Sequence, residues 1–158
     1  MIAAACLALG LFGYELWPRD EKRISAVLNE LCTELNQTRD EASLARLRQF
    51  LDRALEPEIS VHSSELDRPL EGRAEVSERA AALLNGVPLS FALSTVEIHV
   101  SGTLARVELD LIVTVRGSGE QRRDLRHTRV RLAKRGDAWQ IEDIEVDAVA
   151  PSEPEARP

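Results

Sequence analysis

Three histidines, two cysteines and one tyrosine are the residues of this chain best suited to chemistry. His62 ends the segment Glu58-Ile59-Ser60-Val61-His62, where a neutral imidazole is a candidate general base. Proton abstraction beside a carbonyl also needs a donor at the developing oxyanion. The single tyrosine, Tyr14, lies in the apolar N-terminal stretch, away from His62. His99, Glu108 and Asp110 form the one set with the ligand types of a cation site. Arg129 and Arg131 fall on the same strand face and oppose a cation, so the set reads as a solvated, cross-strand-paired surface. No metal, no cofactor and no catalytic residue is assigned. Cys6 lies in the N-terminal stretch and Cys32 in a predicted helix, so no disulfide and no cysteine-pair zinc site is available to the globular part. Thr128 shares its face with Val130 and Leu132, either as the polar group of a cavity or as a strand residue with a satisfied hydroxyl. The basic run Arg122-Arg123-Asp124-Leu125-Arg126-His127 reads as a partner-docking edge or as a guard of an edge or a hairpin end against aggregation.

The elements that must position these residues follow from periodicity. Ile24, Leu28, Leu31 and Leu35 recur at spacings of three and four and predict a helix over Arg19–Asn36, with Cys32 beside the stripe as a small core residue. Thr38-Arg39-Asp40-Glu41 has the form of a capping box. A second helix follows it, burying Leu44, Leu47, Phe50, Leu51, Ala54 and Leu55, and Pro57 ends it. A short strand is predicted over Glu58–His62. A third helix is predicted over Arg73–Leu84, burying Val76, Ala80, Leu83 and Leu84, with Asn85-Gly86 as a left-handed cap before Pro88.

After Pro88 the period becomes two. Val96, Ile98 and Val100 alternate with polar residues, then Val107, Leu109, Leu111, Val113 and Val115, then Thr128, Val130 and Leu132, and last Trp139 to Val146. Turns at Ser101-Gly102, Gly117-Ser118-Gly119 and Arg135-Gly136-Asp137 are short, so these four strands are antiparallel neighbours. The fold class is α+β: three helices on the apolar face of a curved antiparallel sheet, preceded by an N-terminal apolar helix.

The chain of 158 residues is long enough for one domain with a core. Its 20 Lys+Arg against 27 Asp+Glu give a formal charge of -7, which argues against broad affinity for nucleic acid. Aromatic content of 4% also leaves no base-stacking platform.

Met1–Gly13 is unbroken apolar or small residues, followed by Tyr14 and Trp17 and the charged run Arg19–Arg23. We read residues 1–18 as a membrane anchor, 19–149 as the folded domain and 150–158 as a disordered, Pro-rich tail. The apolar stretch is shorter than the ~20 residues of a spanning helix. A start recorded late would explain that, and a buried core helix is the competing reading. Ala3-Ala4-Ala5-Cys6 loosely matches a lipoprotein box, but too little chain precedes it.

The order helix, helix, short strand, glycine-introduced helix, long strands ending in Trp-x-Ile resembles the nuclear transport factor 2-like (SnoaL-like, cystatin-like cone) superfamily. The residues that carry the resemblance are Arg53-Ala54-Leu55 to His62, Leu70-Glu71-Gly72-Arg73, and Asp137-Ala138-Trp139-Gln140-Ile141-Glu142-Asp143-Ile144-Glu145-Val146, over roughly residues 20–148. The anchor followed by Trp17-Pro18-Arg19-Asp20-Glu21 resembles bacterial membrane-anchored members of uncharacterised role. That resemblance implies a single-pass inner-membrane protein with its domain on the periplasmic side. It also resembles, in architecture, the inner-membrane scaffold subunit of type IV secretion systems.

Ketosteroid isomerase-like relatives hold a tyrosine and two aspartates in the cone. The positions that match them carry Leu31, His62 or Ser63, and Thr128, so none of the three groups is kept and no carboxylate is expected to point inward. The expected function is therefore a membrane-tethered, non-catalytic binding or assembly module. The alternative is an enzyme or carrier for a small apolar molecule, in a cavity lined by His62, Val107, Leu109, Leu111 and Thr128. Expected partners are the membrane, through the N-terminal segment, and a protein or a second copy through the sheet face, with no nucleic acid.

Overall fold

A computed structural model describes residues 2–86, 88–116 and 121–148, with most side chains from Arg19 onward. The side chains of the N-terminal apolar stretch, the Gly117-Ser118-Gly119 turn and the tail at 150–158 lie outside the described residues.

Helix α1 (Ile2–Gln37) is continuous, about 54 Å long at 1.5 Å per residue. The expected boundary at Arg19 is absent: the helix continues through Pro18. A three-residue connection leads to α2 (Glu41–Ala54). Its cap is Asp40 rather than Thr38: the Asp40 carboxylate accepts from the Ser43 amide at 2.7 Å, and the Ser43 hydroxyl accepts from the Asp40 amide at 2.9 Å. The Thr38 hydroxyl is already donated to the Glu34 carbonyl at 2.7 Å, closing the last turn of α1.

Strand β1 (Leu55–Ser63) follows α2 without a loop, and a two-residue β2 (Leu70–Glu71) pairs with it. Gly72, at φ 85°, turns the chain into α3 (Arg73–Gly86). That helix buries Ala81, with Val76, Ala80 and Leu84 packed on the core, but Leu83 is 52% exposed. Leu83 precedes the Val76-Ala80-Leu84 stripe by one position, a rotation of about 100°. Gly86 lies inside the helix and is not left-handed, so the expected glycine cap does not form.

The long strands are β3 (Leu89–Ser101), β4 (Leu104–Arg116), β5 (Gln121–Arg135) and β6 (Ala138–Ala148). The six-stranded sheet has the order β2-β1-β6-β5-β4-β3. The meander is antiparallel as expected, and the sheet is mixed because β1 runs parallel to β6, with Val61 opposite Ile144. Two bulges bend it. One adds a residue to β3 between Ser94 and Glu97, where Thr95 takes φ 49°, and Val96 is thereby turned out to 41% exposure. The other falls at Glu142 in β6, opposite Arg131 and Leu132.

The helices cover one face. Ile24 and Leu28 of α1, Leu47, Phe50 and Leu51 of α2, and Leu55 and Ile59 of β1 meet Val107, Leu109, Val130, Leu132, Trp139 and Ile141 of the sheet. Each such side chain contributes roughly 1.5–3 kcal/mol on burial. Polar clips fix α1 along the sheet. Asp20, buried, accepts from Lys134 Nζ at 2.9 and 3.0 Å and from Trp139 Nε1 at 3.1 Å. At the other end, the Asn36 amide exchanges two 2.7 Å hydrogen bonds with the Phe91 backbone, capping the edge of β3 as a neighbouring strand would.

Burial alone would raise the Asp20 carboxyl, but bonds from Lys134 and Trp139 and the charges of Lys134 and Arg23 outweigh it and hold it below its ordinary value. A group depressed on folding stabilises above its unfolded pKa, and the contribution is lost as pH falls through the folded value. Asp20→Ala is therefore expected to cost roughly 2–3 kcal/mol near pH 7. In denaturant unfolding the gap between parent and variant closes as pH drops from about 5 to about 2. A gap that stays the same at both ends contradicts the assignment.

Candidate functional site

The parity of the strands sorts every residue of the sheet. Val107 and Leu109 of β4 and Val130 and Leu132 of β5 point to the helices, so Leu111, Val113 and Val115 continue the inner face toward one end of the sheet, with Arg126, Asp124 and Arg122 beside them. At that end the helices no longer fill the space over the strands. A cavity of about 440 Å³ opens there, walled by Leu83, Phe91, Leu111, Val113, Val115 and Val146. Its size is that of a small-molecule site.

Four charged side chains also line it: Glu65, from the segment after β1, and Arg122, Asp124 and Arg126 of β5. Arg126, with its side chain 16% exposed, holds Glu65 Oε1 at 2.6 Å and also pairs with Asp124. Burial opposes the guanidinium charge, but the bonds to Glu65 and Asp124 outweigh it, so the proton is held more tightly than usual. Arg126 and His127 pair with both β4 and β6, whereas Arg122–Leu125 pair with β4 alone, and every second residue of the run faces the cavity. The expected lack of an inward carboxylate is corrected, because Asp124 has the parity of Thr128, Val130 and Leu132. Counting by twos back from Leu132 was the sequence signal that identifies all three.

The residues singled out from sequence separate. Leu111 lines the cavity. Leu109 and Thr128 are register partners, 3% and 4% exposed, in the packed layer beneath it with Val107. The Thr128 hydroxyl donates to the Arg126 carbonyl at 3.4 Å. His62 stands on the opposite face, because Ile59 and Val61 take the inward positions of β1. There His62 Nε2 lies 3.4 Å from Asp143, in a shallow hollow of about 370 Å³ shared with Arg106, Arg129, Arg131 and Glu145.

That outer face is compensated internally. Arg129 reaches Glu145 at 2.8 Å and Asp147 at 3.0 Å, Arg106 reaches Glu108 at 2.9 Å, and His127 lies 3.2 Å from Asp110. Each exposed pair contributes on the order of 0–1 kcal/mol. His99 is opposite Arg106 and a row away from Glu108, so the three candidate cation ligands do not converge. Among the described residues no three His, Cys, Asp or Glu side chains are placed to share a metal ion.

The one carboxylate on the inner strand face of the cavity, Asp124, is already engaged by Arg126, and the Thr128 hydroxyl is committed to a carbonyl. A carboxylate neutralised by a guanidinium is a poor proton acceptor.

No protein-family model matches the sequence, and no curated protein matches it. Solved structures do match in shape. A nuclear transport factor 2-like protein with a cystatin-like fold from Novosphingobium aromaticivorans superposes with a TM-score of 0.72 at 13% identity, covering 90% of each chain. A protein of unknown function from Mycobacterium tuberculosis gives 0.72 at 17% identity, over 85% of this chain and 74% of its own. A proposed dehydratase of the nuclear transport factor 2-like family from Streptomyces avermitilis gives 0.71 at 16% identity, over 84% and 99%. The six-stranded sheet wrapped on three helices is thus the nuclear transport factor 2-like, cystatin-like fold.

Proposed function

We propose that this chain is a non-catalytic binding module that holds a small, largely apolar molecule in the open end of its cone and is tethered to a membrane by its N-terminal segment. The observation that carries the binding reading is the cavity of about 440 Å³, in which Leu83, Phe91, Leu111, Val113, Val115 and Val146 face the charged row of β5. The non-catalytic part is supported by the pairing of Asp124 with Arg126 and by the place of His62 on the other face.

The tether is supported by the apolar stretch Met1–Gly13 and the abrupt change to charge at Arg19. Among the described residues no helix is long and apolar enough to cross a membrane. Because α1 is continuous, a tether at Ile2–Pro18 enters the domain at the Asp20 end, opposite the cavity.

Two measurements test these readings. Titration calorimetry of the full chain with neutral 2-naphthamide is expected to show saturable binding, weakened about tenfold or more by Val113→Trp, which fills the cavity. Equal binding by both proteins, or none by either, removes the binding reading. After alkaline carbonate extraction, the full chain is expected in the membrane pellet and a chain lacking residues 2–18 in the supernatant. Release of both contradicts the tether.

A further inference from the structure

The charges lining the cavity are arranged to be rearranged. Arg122 and Arg126 supply two positive charges, and Asp124 and Glu65 two negative ones. The two carboxylates are held differently. Asp124 sits on β5, two residues from Arg126, and its backbone is fixed by pairing with Val113. Glu65 lies outside any helix or strand, its side chain is 64% exposed, and among the described residues its carboxylate pairs with Arg126 alone. Glu65 is therefore the exchangeable ligand of a half-buried guanidinium.

We propose that the cavity takes a small apolar monocarboxylate, whose carboxylate replaces Glu65 on Arg126 while its body lies against Phe91, Leu111, Val113 and Val146. This deepens the binding reading and rests on it. Three features support the choice of ligand. Exchange of one carboxylate for another keeps the cavity neutral, whereas a cationic ligand would meet Arg126 and Arg122, and a dianion would leave excess negative charge. The guanidinium fork matches a carboxylate in a low-dielectric setting, where a charge-assisted hydrogen bond is strong. Phe91, Leu111, Val113 and Val146 line the cavity together with Arg126 and suit an apolar body.

The test uses titration calorimetry of the full chain with 2-naphthoate and with 2-naphthamide, which share a ring system and differ in charge. The parent protein is expected to bind the carboxylate about tenfold or more tightly than the amide. Arg126→Gln is expected to abolish that preference and to keep amide binding. Glu65→Gln, at an exposed side chain, is expected to tighten 2-naphthoate and leave 2-naphthamide unchanged, because the internal competitor is gone. If the amide binds and the carboxylate binds no better, or if Glu65→Gln weakens 2-naphthoate, the carboxylate assignment is wrong and the cavity reading stands. If neither compound binds parent or variants, both fall together.

Discussion

Lys134 and Trp139 meet on the carboxylate of Asp20, and that buried contact sets where the first helix can lie. Moving α1 by one turn along the sheet, about 5.4 Å, would leave an acid, an ammonium and an indole without partners in a poorly solvated place. The Asn36 amide on the Phe91 backbone fixes the same helix at its other end. Between the two clips Ile24 and Leu28 join the same core cluster as Val107, Val130, Leu132 and Trp139. The packed core therefore occupies the Asp20 end of the cone. The inner face of the longer strands runs on past it, uncovered, and the cavity follows.

A site made this way has a particular chemistry. Its walls are inner-face positions of strands whose other residues already specify the core, so they are apolar by the same alternation. Its polar groups line the same cavity. The guanidinium of Arg126 is tolerated there because Glu65 and Asp124 both contact it. Removing either carboxylate leaves charge to be met from elsewhere, which makes the cavity responsive to what enters it. The outer face of the sheet is built on the opposite plan. Its arginines and carboxylates are neighbours across strands, and that face gathers His62 among them without giving it a cavity.

Much of this was legible in the sequence, and the limits have physical causes. Helical stripes such as Ile24-Leu28-Leu31-Leu35 and the period of two after Pro88 are local, repeated signals, and the elements they predict are present. The parallel pairing of β1 with β6 is not local: Val61 and Ile144 are joined only through the folding of everything between them. Bulges at Thr95 and Glu142 insert one residue into a strand, and no periodicity count reveals an insertion before its neighbours are known. The cap of α2 moved from Thr38 to Asp40 because two acceptor-bearing side chains were available and the first was taken by α1. The charged half of the site was legible in principle. Arg122, Asp124 and Arg126 keep step with Thr128 and Leu132, but a basic run invites reading by charge before parity. His62 shows the converse, since its side follows from Ile59 and Val61 and not from its own chemistry.

The central claim is that one end of the inner sheet face is an open, ligand-accepting surface and the other end a closed core. Methyl nuclear magnetic resonance of the full chain during addition of 2-naphthamide tests it directly, residue by residue. The account predicts shifts confined to methyl groups of Leu83, Leu111, Val113, Val115 and Val146, with Val107, Val130 and Leu132 unmoved. Shifts at Ile112 or Leu125 on the outer face, with the cavity methyls silent, would contradict it.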